Sequence, residues 1–373
     1  MILWVAIIGA MLAIFAAGLL YLSFRAAHFP AVQKLARGKR GLARLLCLGC
    51  FAALTGLLWA LWGMMNAIVC LIHLVAFWML ADLAAFVAAK VRKKQPRRYW
   101  VGAAAMVLCA VYLAGGWVAD HHVWITEYAF ETDKLDRPAR LVQIADSHVG
   151  TTFHADGFLR HMERINALGP DAVVLTGDFV DDDTSRADML AACDALGALD
   201  APVYFVYGNH DRGYYAESSR GWTGAELRAA LEKNGVAVLE DESAALGDGL
   251  LIVGRKDRSQ EQRGGGRKSA AELLSDVDRS RYIVVLDHQP HDFDAEAATG
   301  ADLVLSGHTH GGQFIPIRHV GEWIGENALR YGHERRQDTD FIVSSGISNW
   351  TFRFKTGCRS EIVLITLRPG SEG

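Results

Sequence analysis

Five short polar motifs, most of them directly after apolar and β-branched stretches, carry the residues that could do chemistry. They are Asp146-Ser147-His148, Gly177-Asp178-Phe179-Val180-Asp181, Gly208-Asn209-His210-Asp211, the single His288, and Gly307-His308-Thr309-His310. Together they offer carboxylate oxygens, an amide oxygen and several imidazoles, which is the ligand mixture that borderline divalent metals prefer. The sequence therefore predicts a metal-dependent hydrolase with a two-metal site.

The stretches in front of these motifs predict β-strands at residues 141–145, 172–176, 203–207, 283–286 and 303–306. Further strands are predicted at 250–253, 341–343 and 362–367, and amphipathic helices at 155–168, 185–199 and 224–234. Strands that alternate with helices predict an α/β domain, whose ligands lie at the carboxyl edge of the sheet. We therefore expect the five motifs to meet at one edge.

A two-metal site is suited to the hydrolysis of phosphate esters, which are anionic and resist attack by water. Two cations about 3.5–4 Å apart neutralise the substrate oxygens and activate water to hydroxide at neutral pH. Such a site needs one ligand that bridges both ions, several ligands for each ion, and an open face for the substrate. The motifs contain candidates for each of these roles.

In their order and spacing the motifs resemble those of the calcineurin-like metallophosphoesterase superfamily: D-x-H, G-D-x-x-D, G-N-H-[DE], a separate His, and G-H-x-H. The resemblance covers about residues 141–367. Residues 307–313 (GHTHGGQ) and 360–365 (SEIVLI) look most like membrane-attached bacterial phosphoesterases, and animal transmembrane proteins with a metallophosphoesterase domain are similar in arrangement. The resemblance implies an α/β (α+β) four-layer αββα sandwich.

Carried over by motif position, the resemblance assigns a role to each functional residue. Asp146, His148 and His310 would bind the first metal, Asp178 would bridge, and Asn209, His288 and His308 would bind the second. His210 would face the substrate as general acid or hydrogen-bond donor, and Asp211 would orient His210. Asp181 is expected to shape its loop, no organic cofactor is assigned, and Mn²⁺, Fe and Zn²⁺ all fit such ligands.

The first 120 residues contain four apolar stretches of about the length that crosses a bilayer as a helix. They lie at about residues 2–24, 45–65, 67–89 and 101–118, followed by a connector at 121–140 and the metallophosphoesterase domain at 141–373. Lysine and arginine cluster in the first and third loops, so these loops are expected in the cytoplasm. The protein is thus predicted to be a multi-pass membrane protein with its catalytic domain on the extracytoplasmic side.

Three features outside the motifs have open interpretations. His73 and Asp82 lie within the third apolar stretch, where a structural role, with Asp82 pairing with Lys90 or a basic loop, is favoured over transport. Residues 255–269 predict a disordered surface loop, with a mobile basic flap over an anionic substrate as the alternative. Arg353 and Lys355 could meet phosphate or lie on a solvated strand face.

The net charge of −4 and the lack of a basic stripe with aromatics exclude a typical nucleic-acid binder. The leading hypothesis is a membrane-anchored phosphoesterase for a phosphomonoester, phosphodiester or pyrophosphate, possibly lipid-linked. One alternative is a UDP-2,3-diacylglucosamine-type lipid diphosphate hydrolase, if the domain is cytoplasmic. Another is a catalytically inactive membrane sensor or scaffold, although such proteins usually lose a ligand and here all seven are present. The sequence makes no prediction of oligomeric state.

Overall fold

The computed structural model describes residues 2–93, 99–213, 220–262 and 264–370, with side chains from residue 13 onward. The chain forms two compact units, Met1–Gly116 and Trp117–Gly373. The helices of the amino-terminal part are α1 (Ile2–Ala26), α2 (Pro30–Leu35), α3 (Arg40–Trp62), α4 (Met64–Arg92) and α5 (Val101–His121).

Three of these helices, α3, α4 and α5, are long and apolar enough to cross a membrane. In α1 the apolar part with described side chains, Ala13–Ala26, is shorter. The predicted span at about 2–24 therefore lies partly outside the residues whose side chains are described. Three of the four predicted spans are thus confirmed as apolar helices of sufficient length, and their insertion in a membrane stays a prediction.

The ionisable residues of α4 are occupied by contacts within the first unit. Tyr21 Oη donates to Asp82 Oδ2 at 2.6 Å, and Arg25 forms an ion pair with the same carboxylate. His73 Nδ1 lies 2.8 Å from the carbonyl oxygen of Val69. Asp82 thus pairs with Arg25 in the last turn of α1, in line with the structural role that the sequence favoured.

The second unit contains two six-stranded sheets. Their orders are β1-β12-β2-β3-β4-β5 and β10-β11-β9-β8-β7-β6. The strands are β1 (Val123–Thr132), β2 (Ala139–Ile144), β3 (Ala172–Thr176), β4 (Val203–Val206), β5 (Val236–Val238), β6 (Glu242–Leu246), β7 (Leu250–Gly254), β8 (Tyr282–Leu286), β9 (Leu303–Ser306), β10 (Gly332–Arg336), β11 (Thr339–Val343) and β12 (Ser360–Pro369). Strands β2 to β5 are mutually parallel, as are β7, β8, β9 and β11.

The helices of this unit follow their strands in α/β fashion. They are α6 (Ala155–Asn166), α7 (Arg186–Leu196), α8 (Gly224–Lys233), α9 (Arg258–Gln262), α10 (Ala270–Leu273), α11 (Phe293–Ala297) and α12 (Val320–Trp323). Ser185 and Thr223 begin α7 and α8, because their side chains accept hydrogen bonds from the third backbone N–H of each helix. The amphipathic helices predicted from the sequence are confirmed within three residues at each end.

Three buried apolar clusters hold the sheets and helices together. One cluster joins side chains of both sheets, for example Leu141 and Val174 of the first with Val284 and Leu305 of the second. The other two pack helices against the sheets and include Phe158, Met189 and Leu227 in one and Leu273 and Phe293 in the other. The predicted α/β fold is confirmed with two sheets.

Residues 121–140 differ from the predicted connector because most of them form strand β1 and its turn into β2. Strand β1 pairs in parallel with β12, from Val123 opposite Ser360 to Thr132 opposite Pro369. The exposed positions of β1 alternate, as expected for a strand with one face in solvent. Ser360 Oγ also donates to the carbonyl oxygen of Asp120 at 2.7 Å.

The segment 255–269 was expected to be a disordered surface loop or a mobile basic flap, and neither expectation holds for its two arginines Arg255 and Arg267. Arg255 and Arg267 are both buried, with side chains only 4% exposed. Arg255 lies 3.0 Å from Asp287 and from Asp292, and Arg267 lies 3.1 Å from Asp292. These carboxylates neutralise the arginines, which are therefore not available to an anionic substrate.

Candidate metal centre

The topology brings the five motifs together at the carboxyl ends of parallel strands. Asp146, Asp178 and Asn209 follow β2, β3 and β4, which are parallel neighbours in the first sheet. His288 and His308 follow β8 and β9, which are parallel neighbours in the second. The expected position at the carboxyl edge is confirmed, with each sheet contributing ligands.

One group of potential ligands consists of Asp146, His148 and His310. One ligand atom from each lies within 4.8 Å of the others. Nε2 of His310 is 3.9 Å from Asp146 Oδ1, and the rings of His148 and His310 are 5.1 Å apart. All three side chains are buried. These are the residues that the sequence analysis expected at the first metal.

A second group consists of Asp178, His288 and His308, again with ligand atoms within 4.8 Å of one another. Asn209 joins this group, because its Oδ1 lies 3.0 Å from His288 Nε2 and 2.8 Å from His308 Nδ1. The structure therefore brings together the predicted residues of the second site.

Asp178 lies between the two groups. Its Oδ2 is 3.2 Å from Nε2 of His288 in the second group and 3.7 Å from Nε2 of His148 in the first. Its Oδ1 accepts a hydrogen bond of 2.8 Å from the backbone N–H of His210, which fixes the carboxylate. A single carboxylate thus faces both groups.

When His288 is neutral, the hydrogen-bonding pattern directs lone pairs at one another, an arrangement that a cation would satisfy. Nδ1 of His288 lies 2.7 Å from the carbonyl oxygen of Thr176, which can only accept, so this nitrogen donates. In the neutral ring, Nε2 then presents a lone pair to Asn209 Oδ1 and Asp178 Oδ2. Because three acceptors cannot bond to one another, the donor set fits a divalent ion.

Buried ring nitrogens in the first group support the same conclusion. Within the described residues, both ring nitrogens of His148 and Nδ1 of His310 have no hydrogen-bond partner, although all are shielded from water. Nδ1 of His148 is 3.2 Å from Asp181 Oδ2 but outside hydrogen-bonding geometry. Leaving such groups unsatisfied costs about 1–3 kcal/mol each, and a bound metal removes that cost.

Five of the seven predicted ligands have a left-handed backbone conformation. Their φ values are 51° for Asp146, 35° for His148, 52° for Asp178, 70° for His308 and 47° for His310. A non-glycine residue in this region costs about 1–3 kcal/mol, and such strain concentrates at functional sites. The sharp turns direct side chains from the strand ends into a common space.

Two glycines allow the loops to approach the carboxylates closely. A Cβ at Gly208 would lie 2.8 Å from Cγ of Asp178, and a Cβ at Gly307 would lie 2.5 Å from Oδ2 of Asp146. Neither space accommodates a side chain without displacing a ligand. These two glycines of the motifs are therefore required by packing against the ligands.

Asp211 contacts a different partner from the one expected. Its Oδ1 accepts from the backbone N–H groups of Phe179 and Val180 at 2.8 and 3.1 Å. Its Oδ2 accepts from those of Asp178 and Gly208 at 2.9 and 2.7 Å. The described contacts thus hold the loop of Asp178, whereas the sequence analysis expected Asp211 to orient the ring of His210.

His210 lines the open side of the metal centre. Its ring centroid is 5.1 Å from that of His148 and 5.1 Å from the ring of Trp350. Burial lowers the pKa of His210, and the nearby carboxylate of Asp178 only partly opposes this effect. The ring is therefore neutral at pH 7.

Burial and mutual repulsion perturb the carboxyl groups of the metal-free protein. Burial raises the pKa of Asp146 to about 6, and that of Asp211, with repulsion from Asp178, to about 7. Burial would lower the pKa of His288, but attraction to Asp178 outweighs it and raises that pKa well above its usual value. The negative charge of these crowded carboxylates keeps His288 protonated in the metal-free protein. The same charge attracts cations to the site.

A cavity of about 750 Å³ opens over the two ligand groups. Besides Asp178, Asn209, His210, His308 and His310, its lining includes Arg318, Arg330, Ile317 and Trp350. The two guanidinium groups are suited to phosphate oxygens. Sequence reasoning missed these four residues because they lie outside the motifs and no spacing marks them.

Lys355, which the sequence suggested for phosphate binding or a solvated face, has neither position. It is fully buried, and its Nζ donates to the carbonyl oxygens of Ser345 and Gly346 at 2.7 and 3.3 Å. A Cβ at Gly346 would lie 2.8 Å from Cβ of Asp146. Lys355 therefore supports the loop behind the first ligand group.

Comparison with known proteins gives a consistent result. The family model of calcineurin-like phosphoesterases matches residues 139–312. An uncharacterized metallophosphoesterase of Aquifex aeolicus is 34% identical over 65% of this chain and 91% of its own length. A transmembrane protein with metallophosphoesterase domain from Danio rerio is 31% identical over 61% of this chain and 53% of its own length. An uncharacterized metallophosphoesterase of Campylobacter jejuni is 27% identical, and the match spans 61% of its length.

Among solved structures, a dimetal phosphatase from Danio rerio aligns with a TM-score of 0.39 and 12% identity, over 57% of this chain and 88% of that one. The sequence matches are the decisive ones. Since the family model covers every strand that carries a ligand motif, and the alignment takes in 91% of the Aquifex protein, the chain belongs to the calcineurin-like phosphoesterase family.

Proposed function

We propose that this protein is a phosphoesterase that depends on two divalent metal ions and is held in a membrane by its amino-terminal helices. The observation that carries the proposal is the position of Asp178, whose Oδ2 lies 3.2 Å from His288 and 3.7 Å from His148. A carboxylate that faces two groups of buried or half-buried ligands suits a pair of ions, whereas a single ion would need only one such group.

In this proposal Asp146, His148 and His310 hold one ion, and Asn209, His288 and His308 hold the other, with Asp178 shared. When bound, the ions neutralise the phosphate oxygens and make water nucleophilic at neutral pH. The mixed nitrogen and oxygen ligands suit Mn²⁺, Fe and Zn²⁺ alike.

His210 acts on the substrate from the open side. Because burial lowers its pKa, the neutral ring donates an N–H hydrogen bond to an oxygen of the phosphoryl group. The bond strengthens as charge develops on that oxygen, which is the usual basis of transition-state stabilisation. Asp211 contributes indirectly, because its four backbone contacts fix the loop of Asp178.

The membrane part of the proposal draws on three apolar helices and on relatives named as transmembrane proteins. The first and third loops of the sequence are rich in lysine and arginine, which favours a catalytic domain on the extracytoplasmic side. A four-layer αββα arrangement is part of the same proposal, supported by the apolar clusters between and outside the two sheets.

The catalytic proposal is tested with Asp178→Asn, which keeps the shape of the side chain and removes its charge. Hydrolysis of bis(p-nitrophenyl) phosphate in Mn²⁺ should fall at least about 100-fold, the scale of removing a key electrostatic group. Asp156→Asn is the matched control, because Asp156 is exposed on α6 and its one ion pair within the described residues is with Arg160 on the same helix. Turnover of Asp178→Asn equal to that of the control contradicts the bridging role.

The orientation is tested separately with alkaline phosphatase fused to the carboxyl terminus. An active fusion is expected, since that reporter requires an extracytoplasmic location. An inactive fusion, together with an active cytoplasmic reporter at the same position, would place the domain in the cytoplasm and favour a cytoplasmic lipid diphosphate substrate.

A further inference from the structure

The segment after the last ligand motif exposes an unusual number of large apolar side chains. Ile315, Ile317, Val320, Trp323 and Ile324, here called the apolar lip, are 40–73% exposed. From residue 122 to 370, the described residues contain two more exposed large apolar side chains, Leu159 and Trp350. Monomeric soluble proteins seldom cluster such residues, and contiguous apolar patches of this kind mark binding sites.

The fold holds this segment in place without using the lip. Phe314 at its base is 7% exposed, and its ring is 4.9 Å from that of Phe352. The carbonyl oxygen of Gln313 accepts from the backbone N–H groups of residues 356 and 357 at 2.8 and 2.9 Å. At the other end, Glu322 accepts from the backbone N–H of Arg330 at 2.9 Å. The segment is thus fixed from below while the lip faces outward.

The lip is continuous with the cavity over the metal centre. Ile317, a lip residue that is 58% exposed, and Trp350 line the same cavity as the buried ligands. Arg318 and Arg330 line it as well. A single opening therefore combines metal ligands, guanidinium groups and exposed hydrocarbon surface.

We propose that the apolar lip binds the hydrocarbon chain of the substrate, which makes the substrate an amphipathic phosphate ester of a lipid. This inference rests on the proposed function and adds a substrate class to it. An anionic headgroup suits the ligands and arginines, and a hydrocarbon tail suits Ile317, Trp323 and Ile324. A chain with helices able to span a membrane also meets lipid molecules at high effective concentration.

The test uses p-nitrophenyl alkyl phosphodiesters that share one leaving group and differ only in alkyl length. The full-length protein, in nanodiscs of a phospholipid that it does not hydrolyse, is assayed with the ethyl and decyl esters below their micellar concentrations. Each buried methylene can raise kcat/KM up to about fourfold, so a decyl-to-ethyl ratio of at least about 30 is expected.

Two exposed lip residues are then changed together, as Trp323→Ser with Ile324→Ser. The decyl-to-ethyl ratio should fall at least about tenfold, because losing the surface that two methylenes would bury already lowers it by up to about 16-fold. Leu159→Ser is the matched control, since Leu159 is an exposed leucine on α6 outside the cavity lining, and it should keep the wild-type ratio.

Each outcome has a distinct meaning. A ratio near one in the wild type, with the ethyl ester hydrolysed, overturns the lip as a tail site and leaves the phosphoesterase proposal intact. A wild type that hydrolyses neither ester in Mn²⁺, and matches Asp178→Asn, contradicts the proposed function itself. An unchanged ratio in the double variant also overturns the proposal, and an altered mass by light scattering would then identify the lip as a contact between copies of the chain.

Discussion

Replacing Gly208 by alanine tests whether backbone packing positions the shared carboxylate. The backbone of Gly208 lies outside the left-handed region, so alanine has no conformational strain there. A Cβ at this position would nevertheless lie 2.8 Å from Cγ of Asp178 and also too close to its backbone nitrogen. Asp178 must therefore move, and any effect of the substitution is steric.

The required movement sets the expected magnitude. The contact with Cγ must lengthen from 2.8 Å to the 3.4 Å of an ordinary contact. The Cβ would lie closer still to Oδ1 and to the backbone nitrogen of Asp178, so both the carboxylate and the backbone that Asp211 holds at 2.9 Å must move. A misplacement on this scale costs about 100-fold in rate. Overpacking of a buried site costs about 1–3 kcal/mol, which lowers Tm by roughly 2–10 °C in a domain of this size.

The assay compares Gly208→Ala with Gly224→Ala. Gly224 is the first residue of α8, and nothing lies within 4 Å of the Cβ that alanine would add there. We expect the control to keep wild-type hydrolysis of bis(p-nitrophenyl) phosphate, metal content and Tm. Gly208→Ala should lose activity and at least one metal ion per chain. Activity within about threefold of the control, with full metal content, refutes the steric reasoning.

Three further predictions concern the neighbours of the shared carboxylate. His210→Gln should lower kcat about 100- to 1,000-fold in steady-state kinetics. Elemental analysis should show that the variant keeps both metal ions. Loss of metal would show that His210 is a ligand instead. Asp211→Asn must place its NH₂ group against two backbone N–H groups in either orientation of the amide. Chemical denaturation should therefore show that the free energy of unfolding falls by about 3 kcal/mol or more. A fall below about 1 kcal/mol contradicts the role of Asp211 as acceptor of four backbone hydrogen bonds. In the metal-free protein Asp178 raises the pKa of His288 well above 6.5, so the stabilisation from its proton is complete below pH 6.5 and lost as pH rises through the raised value. Because a metal ion must displace that proton, titration calorimetry should show affinity for Mn²⁺ rising from pH 6 to 8, and an affinity that falls over this range is incompatible with His288 as a ligand.

The ligands and their strands could be predicted from the sequence because each is a local signal. Asp178 directly follows the buried run of β3, and His308 directly follows that of β9. Parallel strands end at one edge, so residue type and position sufficed to bring the motifs together. The left-handed φ of these ligands could not be predicted from the sequence, since it depends on how the ends of the ligand-bearing strands meet in the folded protein.

Features that depend on distant partners were missed. Strand β1 reads as a polar connector until its partner β12 is known, and that partner lies more than 200 residues later. Arg255 and Arg267 belong to a charged, glycine-rich run that predicts a solvent-exposed loop. Their partners Asp287 and Asp292 come from beyond another strand, so only the fold reveals that the arginines are buried.

The roles of Lys355 and Asp211 were also beyond the sequence. A lysine near the end of a domain is usually solvated, and nothing local indicates the carbonyl oxygens that receive its Nζ. An aspartate beside a histidine suggests a hydrogen-bonded pair, yet the turn directs the Asp211 carboxylate to four backbone N–H groups. The motif singled out Asp211 but not Lys355, and the fold determines the contacts of both residues.

The central claim is that two ions share the carboxylate of Asp178. Anomalous diffraction from crystals of the full chain grown with Mn²⁺ tests it directly. The account predicts two peaks about 3.5–4 Å apart, one beside Asp146, His148 and His310 and the other beside Asn209, His288 and His308. A single peak, or peaks away from Asp178, would contradict it.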